Sequence, residues 1–238
     1  GYQITVFDNG ASPGGMMRSQ IPKFRLPDDV IDEECAYIVN LGVETRYNQW
    51  INSLRDLLAE DWDAIFVGTG APRGRDADIP GRQEAAAHIH VGIDWLANVA
   101  FGHTTSISPR VIVLGGGNTA MDCCRSALRM GGEDVKVVVR SGFDEMKASP
   151  WEKEDAMHEG IPILNFMVPK TFEHEHGRLT GMTFEKVEAV YDDKGNRRLV
   201  PTGEPDDLVP CDDVLIAVGQ ENAFPLSLIH ISEPTRPS

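Results

Sequence analysis

No two of the four cysteines, Cys35, Cys123, Cys124 and Cys211, stand in a C-x-x-C spacing. The chain therefore writes no zinc site, no cysteine-ligated iron–sulfur cluster and no thioredoxin-type redox pair. Cys123 and Cys124 are neighbours on a helical stretch and point in different directions, which makes them small packing residues. Positive charge is also scarce. Against 37 Asp and Glu there are 22 Lys and Arg, and the net charge of −15 argues against nucleic acid and against an anionic membrane surface as partners. No apolar run approaches the length of a membrane span, and Gly1 stands beside a strand-like segment with no signal peptide before it. The expectation is a soluble, cytoplasmic chain, long enough at 238 residues for one large or two modest domains.

The most informative stretch is Val111 to Asp122, VIVLGGGNTAMD, an apolar run followed by Gly115-x-Gly117-x-x-Ala120. Such spacing suits a dinucleotide pyrophosphate, which needs a tight turn, backbone without side chains in its path and a helix N-terminus aimed at it. By itself the match also fits an ordinary turn before a helix. Its flanks decide. Asn118 is a candidate N-cap, the helix runs through Met121, Cys124, Leu128 and Met130 to Gly131-Gly132, and VKVVV at 135–139 supplies the next strand. The result is a βαβ unit with Gly115, Gly117, Asn118, Thr119 and Ala120 as phosphate-binding candidates, and an α/β dinucleotide fold as the expected class. A carboxylate closing the second strand would bond an adenosine ribose and repel a 2′-phosphate; Arg140 stands there instead, with Lys147 nearby, which favours NADPH over NADH. The alternative is that both are solvated surface cations.

Elsewhere the pattern is coarser. Ile4 to Asp8 reads as a strand ending in a carboxylate, so Asp8 either holds a ribose or starts a turn with Asn9 and Gly10. Pro13 to Pro27 is a loop, and Asp28 caps a helix with Ile31, Cys35, Ile38 and Leu41 as its buried stripe and Gly42 as its stop. Ser53 and Asp56 begin a short helix, and Trp62 to Val67 reads as a strand ending at Gly68-Thr69-Gly70, whose small residues would let a cofactor approach. Residues 71–110 read as a connector with one short helix around Ile93 to Val99, and a domain boundary is expected near Gly102 to Pro109. After a helix ending at Gly160, Phe172 to Glu175 and Leu179 to Val190 face each other across His176-Gly177, and Asp192 to Asn196 makes a second turn. This is a small antiparallel ribbon beside the parallel sheet. His174 and His176 flanking Glu175 read as turn residues, not metal ligands. Val214 to Gly219 is a last buried strand ending in glycine.

In combination, Asp8, Pro13-Gly14-Gly15-Met16-Met17-Arg18, Ile21 to Pro27, Thr69-Gly70, the 115–122 motif and Ala217-Val218-Gly219-Gln220 resemble the small-subunit family of NADPH-dependent glutamate synthase. The resemblance covers residues 1–225, in order. It implies two dinucleotide-binding domains, an FAD domain interrupted by an NAD(P)H domain, with hydride passing from nicotinamide to flavin and electrons leaving singly through iron–sulfur clusters. It also implies roles. Asp8 would hold the FAD ribose, Gly14, Gly15, Met16 and Arg18 would lie along the flavin, and Thr69 and Gly70 would line the FAD cleft. The loop from Gly115 to Ala120 would cradle the NAD(P)H pyrophosphate, and Ala217 and Gly219 would approach the nicotinamide. Ser141 stands where family members often carry a second arginine. No side chain is required as acid, base or nucleophile, because positioning does most of the work.

The resulting expectation is a partial FAD domain at 1–103, an NAD(P)H domain at 104–220 and a return to the FAD domain at 221–225. Residues 226–238, LSLIHISEPTRPS, resemble a translated sequencing-library adapter and are set aside from the fold. The family's amino-terminal glycine loop and carboxyl-terminal Gly-Asp segment are not in the sequence, so the chain is expected to be a fragment, with iron–sulfur clusters in a missing part or a partner. Function divides into two readings: an electron-entry flavoprotein that donates to or accepts from a partner subunit, or an NAD(P)H-binding module with no flavin chemistry and little FAD retention of its own. A disulfide reductase fits less well, for want of a cysteine pair.

Overall fold

The computed structural model describes residues 1–192 and 194–221. The expected return segment beyond Glu221 and the adapter-like tail lie outside the described residues. Two compact units emerge: Gly1–Arg18 with Lys23–Arg73 and Glu221, and Ser19–Pro22 with Gly74–Gln220. The division comes earlier than the boundary expected near 103. Residues 74–103 are more than a connector, since they give the second unit a strand and a helix.

In the first unit, β1 (Thr5–Phe7) runs parallel to β2 (Glu44–Arg46), with Thr5 opposite Glu44, and α1 (Asp28–Val39) connects them. Pro27 occupies the N-cap of α1 with no side-chain cap, so Asp28 is the first helical residue and not the cap. Asp28 and Asp29 in the first turn instead complement the helix dipole. The expected stripe is covered at Ile31, which is 4% exposed, but Ile38 is 60% and Leu41 77% exposed. α2 (Leu54–Leu58) follows, with Ser53 Oγ accepting the Asp56 N–H at 3.2 Å as its N-cap. Trp62 to Val67 was expected as a strand and forms none. Trp62 packs edge-on against Phe7, while Phe66 is 95% exposed. β1 and β2 form a sheet of two, and among the described residues no strand lies beside Ala64–Val67 to accept its backbone hydrogen bonds.

The second unit is a parallel sheet with helices on one face and an antiparallel ribbon on the other. Its parallel strands are β3 (Ile89–Val91), β4 (Arg110–Leu114), β5 (Asp134–Val138) and β6 (Ile163–Leu164), joined late in the chain by β11 (Asp213–Ile216). The helices are α3 (Gly92–Ala100), α4 (Asn118–Arg129) and α5 (Pro150–His158). Spatial order is β3-β11-β4-β5-β6. The ribbon comprises β7 (Met167–Glu175), β8 (Arg178–Tyr191), β9 (Arg197–Pro201) and β10 (Asp207–Pro210), with β8 pairing all three others. Both expected turns are present. His176 and Gly177 take φ of 50° and 80°, and Asp192 Oδ1 accepts the Lys194 and Asn196 N–H groups.

Strand alternation divides the core. Val111, Val113, Val135 and Val137 face the helices with Trp95, Met121 and Cys124, whereas Ile112, Leu114 and Ile216 face the ribbon with Phe172, Met182 and Phe184. β4 is therefore buried on both sides, which is why it reads as an unbroken apolar run. Arg125 of α4 ties that helix to α5 through Glu152 and Asp155, both at 3.1 Å, and Glu159 at 3.0 Å. Hydrogen bonds from Arg129, then Arg125, hold the Glu159 carboxyl below its usual range. Among the described residues no helix is long and apolar enough to cross a membrane.

Candidate nucleotide site

From β4 the chain runs outward through β5 and β6 on one side, and after the ribbon it returns to insert β11 between β4 and the earlier strand β3 on the other. The carboxyl ends of β4 and β11 thus meet where strand order reverses, the place at which open α/β sheets bind ligands. Gly115 follows β4 with φ of 135°, and a Cβ there would overlap the Ala217 carbonyl oxygen. The Ala217 N–H donates to Leu114 O at 2.7 Å, so the end of β11 is held against the loop. Ala120 is fully buried, where a small residue lets α4 sit close to the sheet. Gly219 has φ of 125° and Gln220 donates from Nε2 to Thr119 Oγ1 at 3.5 Å.

Gly117 differs from Gly115. Its φ of −102° and ψ of 177° are open to any residue, and a Cβ built there meets nothing within 4 Å. It occupies the N-cap of α4, so Asn118, expected as the cap, is the first helical residue. The Asn118 side chain reaches elsewhere: Oδ1 accepts the Ser149 N–H at 2.8 Å and Nδ2 donates to Ser149 Oγ at 3.4 Å. Ser149 is the N-cap of α5, and Ala148 N–H donates to Gly116 O at 2.9 Å. The loop is consequently tied to the start of a second helix. Arg140 and Lys147, at either end of the segment after β5, are exposed and have no ion-pair partner among the described residues. Sequence reasoning missed Ser149 and the use of Gln220. The Ser149-Pro150 pair carries a helix-start signature that would have located the first.

In the first unit, Asp8 follows β1 and its Oδ1 accepts the Gly10 N–H at 2.7 Å, so the turn with Asn9 and Gly10 does form. Asn48 N–H to Gly10 O and Gln49 N–H to Asp8 O, each 2.9 Å, pin that turn. Gly14 has φ of 117° and lies against α1, where a Cβ would be 2.8 Å from Ile31 Cγ2. Gly15, φ 49°, faces open space, and Met16 is 42% exposed at the start of the helical turn Met16–Ser19. Arg18 is turned onto the protein: Nε donates to Pro13 O at 2.8 Å, and the guanidinium meets Asp32 at 2.5 Å and Asp28 at 3.6 Å. It fastens the loop to α1. Thr69 and Gly70 are exposed in the unpaired stretch, Gly70 with φ of 71°.

All four cysteines are free, and among the described residues no group of three or more His, Cys, Asp or Glu is placed to hold a metal. Burial pushes the Cys123 thiol well up and raises Cys124 and Cys211 to about 12. These thiols are packing groups. In native protein a thiol-disulfide dye is expected to react quickly with Cys35 alone, the other three responding only in denaturant; a second fast thiol would contradict the packing assignment.

Three comparisons bear on this arrangement. The beta subunit of NADP(+)-dependent formate dehydrogenase from Moorella thermoacetica is 36% identical over 225 residues, 92% of this chain and 32% of the relative. The beta subunit of NADPH-Fe(3+) oxidoreductase from Geobacter sulfurreducens is 32% identical over 231 residues, 93% of this chain and 34% of the relative. The chain thus spans about a third of the length of these curated relatives. Among solved structures, FprA from Mycobacterium tuberculosis shares the fold with a TM-score of 0.75 at 17% identity, over 92% of this chain and 64% of that one. These matches accord with the glutamate synthase small-subunit-like branch to which the motifs point. A family model described as pyridine nucleotide-disulphide oxidoreductase matches residues 34–226, and the chain belongs to that family.

Proposed function

We propose that the second unit binds NADPH on the Gly115–Ala120 loop, and that the protein containing this chain is an FAD-dependent NADPH oxidoreductase passing electrons to iron–sulfur centres or a partner subunit. Gly117 carries the reading: its backbone would accept any side chain, yet the space beside it is left open at a helix N-terminus on the switch point. The residues fit a dinucleotide. The pyrophosphate would lie along Gly117, Asn118 and Thr119, Arg140 and Lys147 would pair with the 2′-phosphate, and Ala217 and Gly219 would leave room for the nicotinamide. In the first unit the second carboxylate oxygen of Asp8, which no hydrogen bond engages among the described residues, would accept a ribose hydroxyl, while Gly14, Gly15, Met16, Thr69 and Gly70 would offer small or apolar surface to a flavin. Arg18 would shape that loop from behind.

Hydride transfer from nicotinamide to flavin is the chemistry the two cofactors supply when bound. The part left to the chain is binding and orientation, so no residue need trade protons with a substrate. The NADP(H)-linked beta subunits among the relatives support both the coenzyme and a place in a larger assembly.

The test is the visible spectrum of the chain supplied with FAD, followed anaerobically after adding NADPH or NADH. NADPH is expected to bleach a protein-bound flavin band faster, and Arg140→Ala to remove about tenfold of that advantage. If no flavin band is retained, the chain acts as an NAD(P)H-binding module; equal rates with the two nucleotides would sink the Arg140 assignment.

A further inference from the structure

The segment between β5 and α5 carries both cations assigned to the 2′-phosphate, and its shape depends on one carboxylate. Glu145 ends a 3-10 turn, Phe143–Glu145, and closes it in both directions: its N–H donates to Gly142 O at 3.2 Å, and its Oε2 accepts the Gly142 N–H at 2.9 Å. The ribbon grips the same carboxylate. Tyr191 Oη, at the end of β8, donates to Oε1 at 3.0 Å, and Arg197, at the start of β9, meets Oε2 at 2.8 Å. The Gly142 N–H, then Tyr191 and Arg197, hold the carboxyl below its usual range, so it is charged at neutral pH. Arg140 lies two residues before the closed turn and Lys147 two after it.

We infer that Glu145 is a positioning residue for coenzyme choice: by locking the 140–147 segment to the ribbon through Gly142, Tyr191 and Arg197, it sets Arg140 and Lys147 for a 2′-phosphomonoester. This rests on the NADPH site proposed above and adds the ribbon to it. The neighbouring contacts stiffen the segment without touching its charge. Asn165 Nδ2 donates to Ser141 O at 3.0 Å, and Lys153 Nζ donates to Phe143 O at 3.0 Å while lying over the Phe143 ring. Asp144, exposed on the same turn, carries the segment's other negative charge.

Electrostatics alone makes the opposite forecast, which gives the test its force. Removing a carboxylate near a phosphate site strengthens phosphate binding if that carboxylate only repels, whereas losing a positioning group weakens it. In the full chain, dissociation constants for 2′,5′-ADP and 5′-ADP are measured by calorimetry, with melting temperature as a check on folding. Glu145→Gln is expected to lower the preference for 2′,5′-ADP about fivefold, and Tyr191→Phe, which changes no charge, about twofold. Asp144→Asn should raise the preference or leave it unchanged. A Glu145→Gln variant with an unchanged or increased preference overturns the inference, and so does a Tyr191→Phe variant indistinguishable from the parent chain. A merely structural role would weaken both ligands in parallel and leave the ratio alone. The underlying reading fails separately: Arg140→Ala would then leave the ratio untouched, or the chain would not prefer 2′,5′-ADP at all, and either result removes the inference with it.

Discussion

Gly117→Val is expected to cost the chain its NADPH affinity, about 100-fold or more, while its melting temperature stays within about 2 °C of the parent. The backbone at Gly117 is extended, and a Cβ there has no atom within 4 Å, so the fold meets no backbone strain and no clash at the Cβ. The isopropyl group would instead occupy the space in which the pyrophosphate approaches the first N–H groups of α4. Equilibrium titration with NADPH beside a thermal melt separates the two effects. Retained affinity would mean that the open space is an ordinary surface feature.

Gly115→Ala should do the reverse kind of damage. Its φ of 135° is one that side-chain-bearing residues rarely adopt, and the added methyl would overlap the carbonyl of Ala217. Either β4 or β11 must shift, which is expected to destabilise the unit by about 3–5 kcal/mol and lower the urea midpoint accordingly. A loss of unfolding free energy below about 1 kcal/mol would show that the strand ends are less tightly joined than their hydrogen bond implies. Two glycines two positions apart thus answer different needs, one of the ligand and one of the protein.

Much of the second unit was legible because its signals are local and strong. The apolar run at Val111–Leu114, the glycine spacing and the Gly131-Gly132 stop sit within one βαβ unit, and the ribbon announces itself through His176-Gly177 and the Asp192 turn. What escaped depends on distant partners. Ile89–Val91 is three residues long and becomes a strand only because Val214–Ile216 lies alongside it. Trp62 to Val67 has strand composition but no strand beside it among the described residues, and Ile38 and Leu41 have helical spacing but little to cover them. Periodicity reports a preference for burial, and tertiary neighbours decide whether it is met. At the site, the glycine loop was visible as a pattern. The Asn118–Ser149 tie and the Glu145 grip were not, since each joins side chains separated in sequence by whole helices and strands, a distance no spacing rule encodes.

The placement of β11 has a consequence for how the unit assembles. β4, α4 and β5 are consecutive and can form from local contacts, whereas β11 must insert between β3 and β4, and the Arg110–Asp212 hydrogen bonds at that seam span 102 residues of sequence. Closing a loop of that length costs about 4 kcal/mol in chain entropy before its contacts return anything. Contact order alone then predicts that the glycine loop forms early and the Ala217–Gly219 end of β11 late, and that a nucleotide bound at the proposed site would act on the last of these steps, by trapping the inserted strand.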